Sequence, residues 1–301
     1  MGRFLFGRSA PYWFHKHRYI GRKSDVGGAM QLANAQEFLR QGPPFSKSRV
    51  NREADKWRDG LDYDPEPIEE FLAFNALHAE ALLGGARHTI SSLLINVADN
   101  ADQSVRPNTR AYSLSARVKT KSVLLEKLRR MGGTPLLNVH DVAGIRFDCD
   151  LSLSQQAAIA ESFKADLEAF GAKRVDIKDF RDAPHSGYRA IHLHIRSTAG
   201  RSELQIRTAL QSKWANLYEE AADLYGREIR YLHEGADMPP GAGQMVQALQ
   251  KASMLVAKVE GLAGGENHWY REKPCKLSEE AYRVLDGLHA ELKQQRVPAK
   301  R

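Results

Sequence analysis

Residues 202–208 read Ser-Glu-Leu-Gln-Ile-Arg-Thr, which is the most informative stretch of the chain. Its polar Glu, Gln and Arg alternate with Leu and Ile, which predicts a β-strand with one polar and one apolar face. On the strand before it, His192 and His194 alternate with apolar residues in the same way. The polar face of a central strand must be in contact with water or a ligand. The two rows of polar side chains, on the two neighbouring predicted strands, therefore predict the floor of an active site.

A second stretch, Asp-Val-Ala-Gly-Ile-Arg at residues 141–146, begins another buried strand. An acid at the entry to such a strand is placed to hold a metal ion, and Gly144 permits close approach of the backbone. A turn or helix-capping role for Asp141 is the alternative. An Asp and a Glu on different strands can share Mg²⁺, while neighbouring bases neutralise a triphosphate.

Two further stretches surround these strands. The basic run Arg-Val-Lys-Thr-Lys-Ser at residues 117–122 lies at a strand-to-helix junction, where helix N-terminal N–H groups favour phosphate; a solvated helix face is the alternative. The loop at residues 178–192 sets Tyr188 beside bases, which is typical of a nucleobase-stacking platform, with a core tyrosine as the alternative. The four stretches together indicate phosphoryl or pyrophosphoryl transfer from a nucleoside triphosphate. P-loop and protein-kinase signatures are absent from the sequence, which excludes those two classes.

Outside these stretches the periodicity orders the elements as αα-βα-βα-β-β-β-α, followed by two helices near residues 241–261 and 277–294. Residues 42–67, with four prolines, are predicted to be irregular around at most one short helix, and residues 68–99 to form two helices broken at Gly84-Gly85. Because consecutive strands with short links cannot all be parallel, the sheet is predicted to be mixed or antiparallel. The predicted strands are residues 111–118, 142–149, 174–178, 188–197 and 202–208.

The chain has 301 residues and a formal net charge of +7, which is concentrated near the N-terminus. Residues 1–60 hold 12 Lys and Arg against 5 Asp and Glu, so the rest of the chain balances to zero. Such an arm predicts contact with nucleic acid or an acidic partner protein, with a solvated tail as the alternative. Two cysteines, and no apolar run of about 18 residues, predict a cytoplasmic protein with no membrane association. The first 24 residues contain no acid and six bases, namely Arg3, Arg8, Lys16, Arg18, Arg22 and Lys23.

The four stretches, in this order and spacing, resemble the synthetase domain of the RelA/SpoT alarmone synthetase family over about residues 112–225. The motifs are Arg-Val-Lys, Asp-Val-Ala-Gly-Ile-Arg, Gly-Tyr-Arg-Ala-Ile-His and Glu-Leu-Gln-Ile-Arg-Thr, with Trp214 and Ala215 after the last. The resemblance implies a single-domain, ATP-dependent pyrophosphokinase that moves the β,γ-pyrophosphate of ATP onto a ribose 3′-hydroxyl, using Mg²⁺.

The implied fold class is α/β (α+β): a nucleotidyltransferase-like, mixed five-stranded sheet flanked by helices, with extra N- and C-terminal helices. The expected domains are a basic N-terminal arm at 1–60, N-terminal helices at 61–110, a RelA/SpoT-like synthetase core at 111–230 and C-terminal helices at 231–301. Because no upstream His-Asp metal motif of a hydrolase domain is found, no hydrolase activity is expected.

Carried over by position, the resemblance implies how ATP is held. Arg117 and Arg146 would sandwich the adenine, and Lys119 and Lys127 would hold the phosphates. Ser122 belongs to the family's phosphate loop, although it lies five residues before Lys127 instead of the usual four.

The resemblance also implies which residues bind the metal ion and the acceptor. Asp141 and Glu203 would bind Mg²⁺, and Glu203 is also placed to act as the base toward the 3′-hydroxyl. Tyr188 would stack on the acceptor base, and His192 and Gln205 would line the acceptor side.

His185 stands where guanosine-nucleotide synthetases of the family place a Lys that grips the acceptor's phosphates. A weakened site for 5′-phosphates favours an acceptor whose 5′ side is a polymer. The chain also resembles the toxic small alarmone synthetases in the Arg-Ala-Ile-His ending of its third motif and in the Glu-Glu stretch after Trp214, and this resemblance implies the 3′-terminal adenosine of the tRNA CCA end as the acceptor. This is the acceptor of the toxic small alarmone synthetases (toxSAS) of toxin–antitoxin pairs, which implies translation inhibition and an antitoxin partner. The alternative is synthesis of (p)ppGpp, or of ppApp-type alarmones, for a stringent response; a third hypothesis is a catalytically dead RNA-binding module.

Overall fold

The computed structural model describes residues 25–93, 97–99, 110–184, 186–230, 239–263 and 276–296. Within these ranges the chain forms eight α-helices and six β-strands. The helices are α1 (Asp25–Arg40), α2 (Lys47–Asp59), α3 (Glu66–Ser92), α4 (Lys121–Met131), α5 (Leu153–Phe170), α6 (Ala209–Tyr225), α7 (Ala242–Ala263) and α8 (Lys276–Arg296). The strands are β1 (Val97–Asp99), β2 (Arg110–Val118), β3 (Ala143–Cys149), β4 (Arg174–Asp179), β5 (Ile191–Arg196) and β6 (Arg201–Thr208).

The strands form one sheet in the order β1-β2-β3-β6-β5-β4. Strand β6 runs parallel to β3 and antiparallel to β5, so the sheet is mixed. The predicted mixed five-stranded sheet flanked by helices is therefore confirmed, and the short strand β1 adds a sixth member at one edge. The parallel pair requires the long crossover through α5, which the period-3.6 pattern of residues 153–170 predicts.

The apolar face of the sheet packs against α3 and α5. Phe147 on β3, Leu193 on β5 and Leu204 on β6 are fully buried in one cluster with Leu82 of α3 and Phe163 of α5. Each such side chain contributes about 1.5–3 kcal/mol to stability relative to an exposed one. Since this face is covered, the opposite, polar face of the same strands remains for chemistry.

The structure corrects the expectation that a helix break lies at Gly84-Gly85. Helix α3 runs without interruption through both glycines. A Cβ on Gly85 would lie 3.3 Å from the Phe170 ring and 3.4 Å from Cβ of Ala35. The glycine therefore permits close packing of α3 against α1 and α5, and this packing outweighs its low helix propensity.

Residues 42–67, predicted to be mostly irregular, contain the 13-residue helix α2. The Ser46 side chain caps its N-terminus, and Gly60 ends it in the left-handed conformation with φ 72°. The apolar side chains that helix α2 buries are only Val50, Ala54 and Trp57, so the helical pattern is hard to recognise in this highly charged sequence. The region assigned to a basic arm thus includes two helices, α1 and α2, whereas the six bases of its first 24 residues lie outside the described ranges.

Helices α6, α7 and α8 form a second apolar cluster beside the sheet, and α7 and α8 lie where the sequence predicts them. A buried polar network fastens this cluster to the sheet. Gln211 of α6 donates to Glu260 of α7 at 2.9 Å, and Gln156 of α5 donates to Gln211 at 2.8 Å and to the Ile206 carbonyl at 2.9 Å. No helix within the described ranges is long and apolar enough to cross a lipid bilayer.

Candidate active site

The register of the strands brings the predicted site residues onto one face of the sheet. Arg146 pairs with Gln205, and Gln205 pairs with His192 on its other side. One row further, Glu203 lies between Gly144 and His194. Because directly paired residues project from the same side of a sheet, these side chains share one surface. Gly144 has no side chain, so nothing on β3 covers Glu203 from that side.

Asp141 lies just before β3 and is held by two lysines. Its Oδ1 contacts the Lys127 ammonium group at 2.7 Å and its Oδ2 contacts the Lys119 ammonium group at 3.1 Å. Burial raises the pKa of Asp141, but the two ammonium groups outweigh burial and keep the pKa below its ordinary value. Burial in turn lowers the pKa of Lys119. The site therefore holds an ionised carboxylate between two cations.

Glu203 is buried and has a separate set of partners. Its Oε1 accepts hydrogen bonds from Gln205 Nε2 at 2.7 Å and from His192 Nδ1 at 3.1 Å, and its Oε2 lies 3.9 Å from His194 Nε2. Burial raises the pKa of Glu203, yet His192 and these other partners outweigh burial and lower the pKa to about 2. Both carboxylates are thus ionised at neutral pH, and they are close enough for the charge of Glu203 to raise the pKa of Asp141.

The loop before β5 positions Tyr188 beside His192. The Tyr188 hydroxyl lies 2.8 Å from His192 Nε2, and its partly buried ring packs against the α6–α8 cluster. The preceding Gly187 has φ +89°, and a Cβ there would lie 2.9 Å from the Trp214 ring. The Ser253 hydroxyl of α7 donates to the Gly187 carbonyl at 2.5 Å. Only glycine fits this turn, which sets the direction of the tyrosine.

The remaining predicted residues are less engaged. Arg117 is exposed on β2 opposite Gly144, so it shares the polar face with Arg146. Ser122 is exposed in the first turn of α4, and its hydroxyl lies 3.4 Å from that of Thr120. His185 lies outside the described ranges. The roles of all these residues in binding stay predictions.

Three features of the site escape inspection of the sequence. Lys178 of β4 pairs with His192 and is exposed on the same face. The His140 ring stacks on His194, with centroids 4.5 Å apart. Arg207, at the end of the polar row of β6, is fully buried and forms an ion pair with Asp148 at 3.2 Å. The alternation of polar and apolar residues predicts the side of the strand on which each side chain lies. It does not predict which strands are neighbours in the sheet, and that depends on the fold.

Both carboxylates fit a hard divalent cation such as Mg²⁺. Asp141 and Glu203 supply ionised oxygen donors, the ligands that Mg²⁺ prefers, from two neighbouring parallel strand ends. The two lysines that contact the Asp141 carboxylate are also suited to bind phosphate oxygens, because phosphate is negatively charged like the carboxylate.

Comparisons with known proteins match the part of the chain that contains these strands. A family profile described as "Region found in RelA / SpoT proteins" matches residues 116–229. In solved structures, the small alarmone synthetase 1 from Bacillus subtilis is 22% identical, with a TM-score of 0.45 over 67% of this chain and 98% of that one. A GTP pyrophosphokinase family protein from Streptococcus pneumoniae is 19% identical, with a TM-score of 0.41 over 53% of this chain and 78% of that one.

Longer matches come from mycobacteria. Proteins of Mycobacterium bovis and Mycobacterium tuberculosis, both named as uncharacterized, are 38% identical over 232 residues, which cover 74% of this chain and 77% of theirs. The matched family region contains both carboxylates and all of the paired polar residues on β3, β5 and β6. The chain therefore belongs to one family with these mycobacterial proteins, and it contains the region found in RelA / SpoT proteins at residues 116–229.

Proposed function

We propose that the chain is an ATP-dependent pyrophosphokinase that transfers the β,γ-pyrophosphate of ATP to a ribose 3′-hydroxyl. The observation that carries this proposal is the single polar face on which Asp141, with its two lysines, adjoins Glu203, with its acceptor-side partners. The two lysines that contact Asp141 just before β3 are thus suited to bind a triphosphate, and Glu203 on the neighbouring strand β6 is suited to assist removal of a hydroxyl proton.

The ATP side of the site consists of bases around Asp141. Lys119 and Lys127 would release the carboxylate to contact phosphate oxygens, and Arg117 and Arg146 would take the adenine between their guanidinium planes. Asp141 and Glu203 would hold Mg²⁺, which when bound neutralises the phosphate charge that develops during transfer.

In the proposed reaction the acceptor's 3′ oxygen forms a bond to the β-phosphorus of ATP. The bond from that phosphorus to the α,β-bridging oxygen breaks, so AMP leaves and the 3′-hydroxyl loses its proton. A carboxylate with a pKa of about 2 is a weak proton acceptor by itself, because a general base works best near the pH of the reaction. We therefore assign the proton to the Glu203–His192 pair, in which the carboxylate orients the imidazole at 3.1 Å.

For the acceptor we propose the 3′-terminal adenosine of tRNA, which would make the chain a translation-inhibiting toxin with an antitoxin partner. Two sequence features support this proposal: His185 in place of a phosphate-gripping lysine, and the basic N-terminal arm. Phosphate contacts of such an arm add affinity for a polynucleotide without reading its sequence.

One observation favours the alternative, synthesis of (p)ppGpp or its adenosine analogue from a mononucleotide. Lys178 lies in register beside His192, exposed on the polar face and on the acceptor side. An ammonium group at this position can bind the 5′-phosphates of a nucleotide in place of the missing lysine.

The test offers ATP labelled with ³²P at the γ-phosphate together with GDP, GTP, AMP, ADP and bulk tRNA, each in a separate reaction. Label that enters intact tRNA, but does not enter tRNA whose 3′-terminal diol was oxidised with periodate before the reaction, supports the tRNA proposal. Label in a nucleotide, with none in tRNA, supports the alternative. Because α-labelled ATP must leave its label in AMP, label transferred from it contradicts pyrophosphate transfer altogether.

A further inference from the structure

Two histidines and a glutamate on the polar face form a cluster that is richer in nitrogen ligands than a Mg²⁺ site. His192 and His194 lie two residues apart on β5, and Glu203 faces His194 on β6. One ligand atom from each of the three side chains lies within 4.8 Å of the others. In the same sheet, Asp141 contacts two lysines, so the two carboxylates stand in different chemical surroundings.

We propose that His192, His194 and Glu203 bind a borderline transition-metal ion of the Zn²⁺ class. Imidazole nitrogens suit Zn²⁺, Cu²⁺, Ni²⁺ and Fe²⁺, whereas Mg²⁺ prefers oxygen ligands and octahedral geometry. Two histidines and one carboxylate are a recurrent three-ligand set for such ions and leave at least one coordination position open.

The spacing of the ligand atoms fits this set. Tetrahedral ligands at Zn–N and Zn–O distances of about 2.0–2.1 Å lie about 3.3 Å apart. His192 Nδ1 lies 3.1 Å from Glu203 Oε1, and His194 Nε2 lies 3.9 Å from Glu203 Oε2. Because the three ligand atoms lie within 4.8 Å of one another, binding of the ion requires the side chains to rotate about their χ angles, on strands that hold the three residues in register.

Outer hydrogen bonds already orient two of the ligands. Metal-binding histidines usually donate their second ring N–H to a fixed acceptor. The Tyr188 hydroxyl, 2.8 Å from His192 Nε2, is such an acceptor when Nδ1 binds the ion. Gln205 donates to Glu203 at 2.7 Å, and the His140 ring stacks on His194. Each of the three ligands therefore has a neighbour that orients its side chain.

A consequence for activity rests on the proposed function, whereas the binding itself does not. The proposed proton acceptor is the Glu203–His192 pair, and a Zn²⁺ ion on both residues would occupy it. Zn²⁺ is then expected to inhibit pyrophosphate transfer even in excess Mg²⁺, by acting at the acceptor side.

Binding is tested on the full chain without ATP, using Zn²⁺ competed by a chromophoric chelator and the visible spectrum of Co²⁺. We expect one ion per chain, and His194→Gln is expected to weaken binding at least 100-fold, more than the about 10–100-fold that loss of an outer hydrogen bond costs. The matched control is His289→Gln. His289 also contacts a glutamate, Glu220, at 3.2 Å, but has no second histidine in that contact, so this variant should bind Zn²⁺ like the wild type.

Wild-type protein that binds no Zn²⁺ at about 0.1 mM overturns the proposal without any variant. Equal binding by His194→Gln and the wild type, or a thiolate absorption band in the Co²⁺ spectrum, also overturns it. If His194→Gln does not fold, Glu203→Gln replaces it, with the same outcomes. A transfer assay then compares Zn²⁺ inhibition of the wild type and His194→Gln. Absence of transfer to every acceptor refutes the proposed function and leaves the binding result standing.

Discussion

Glu203→Gln separates the chemistry of the site from its architecture. The amide keeps the size of the side chain and one oxygen that can accept the hydrogen bond from Gln205, which is now 2.7 Å from Oε1. It removes the negative charge that orients His192 at 3.1 Å and that would bind the metal. Loss of general-base assistance alone lowers kcat about 10²–10⁴-fold, so transfer should fall by at least that factor.

The cost in stability follows from the pKa of the same group. The pKa of Glu203 is about 2 in the folded chain against an ordinary 4.5, a shift worth about 3 kcal/mol. Because the folded value is the lower one, this stabilisation is present above pH 4.5 and is lost as the pH falls toward 2. Since the amide retains part of the hydrogen bonding, Glu203→Gln should lower the free energy of unfolding by about 1–3 kcal/mol, and the difference from the wild type should shrink in acid.

Glu53→Gln is the matched control. Glu53 is also a buried glutamate whose pKa is lowered to about 2, by hydrogen bonds from the Asp64 backbone, Lys56 and Arg52, but it lies on α2 away from the polar face. Label transfer from γ-³²P-ATP and urea unfolding at pH 7 are measured for both variants. Glu203→Gln with near-normal turnover, or Glu53→Gln with an equal loss of turnover, refutes the assignment of Glu203 to the chemistry.

Three further predictions test other parts of the site. Tyr188→Ala should weaken acceptor binding by about 1–3 kcal/mol, the worth of one stacked base, and leave ATP binding nearly unchanged; equal weakening of both in titrations would show a structural role instead. Gly187→Ala, which places a Cβ 2.9 Å from the Trp214 ring, should raise the acceptor KM and cost about 1–3 kcal/mol in urea unfolding, whereas normal values for both would show that the turn tolerates a side chain. Replacing the six bases of the first 24 residues by Gln should flatten the salt dependence of tRNA binding, by roughly 0.7–0.9 in slope for each phosphate that the arm no longer neutralises; an unchanged slope at two salt concentrations removes the arm from the tRNA-binding surface.

Local sequence pattern predicts five of the six strands and their faces, whereas the short strand β1 lies at the end of a stretch predicted to be helical. Alternation at residues 202–208 places Glu203 and Gln205 on one side, and the register shows them there. Helix α5 begins and ends where its periodicity predicts, because Ser152 caps it and Gly171 follows it. These features depend on residues close together in the chain, so local pattern is sufficient to find them.

The contacts that each side chain makes depend on the tertiary fold. Helix α3 continues through Gly84-Gly85 because Phe170, far away in sequence, packs against that surface. The pairing of Asp141 with two lysines, and of Glu203 with two histidines, depends on which strands are neighbours. The order of the strands depends on burying the apolar side chains of all strands together under α3 and α5, which is a property of the whole sheet. A period of two gives each residue its side of the sheet, but it carries no information about the strand that will lie beside it.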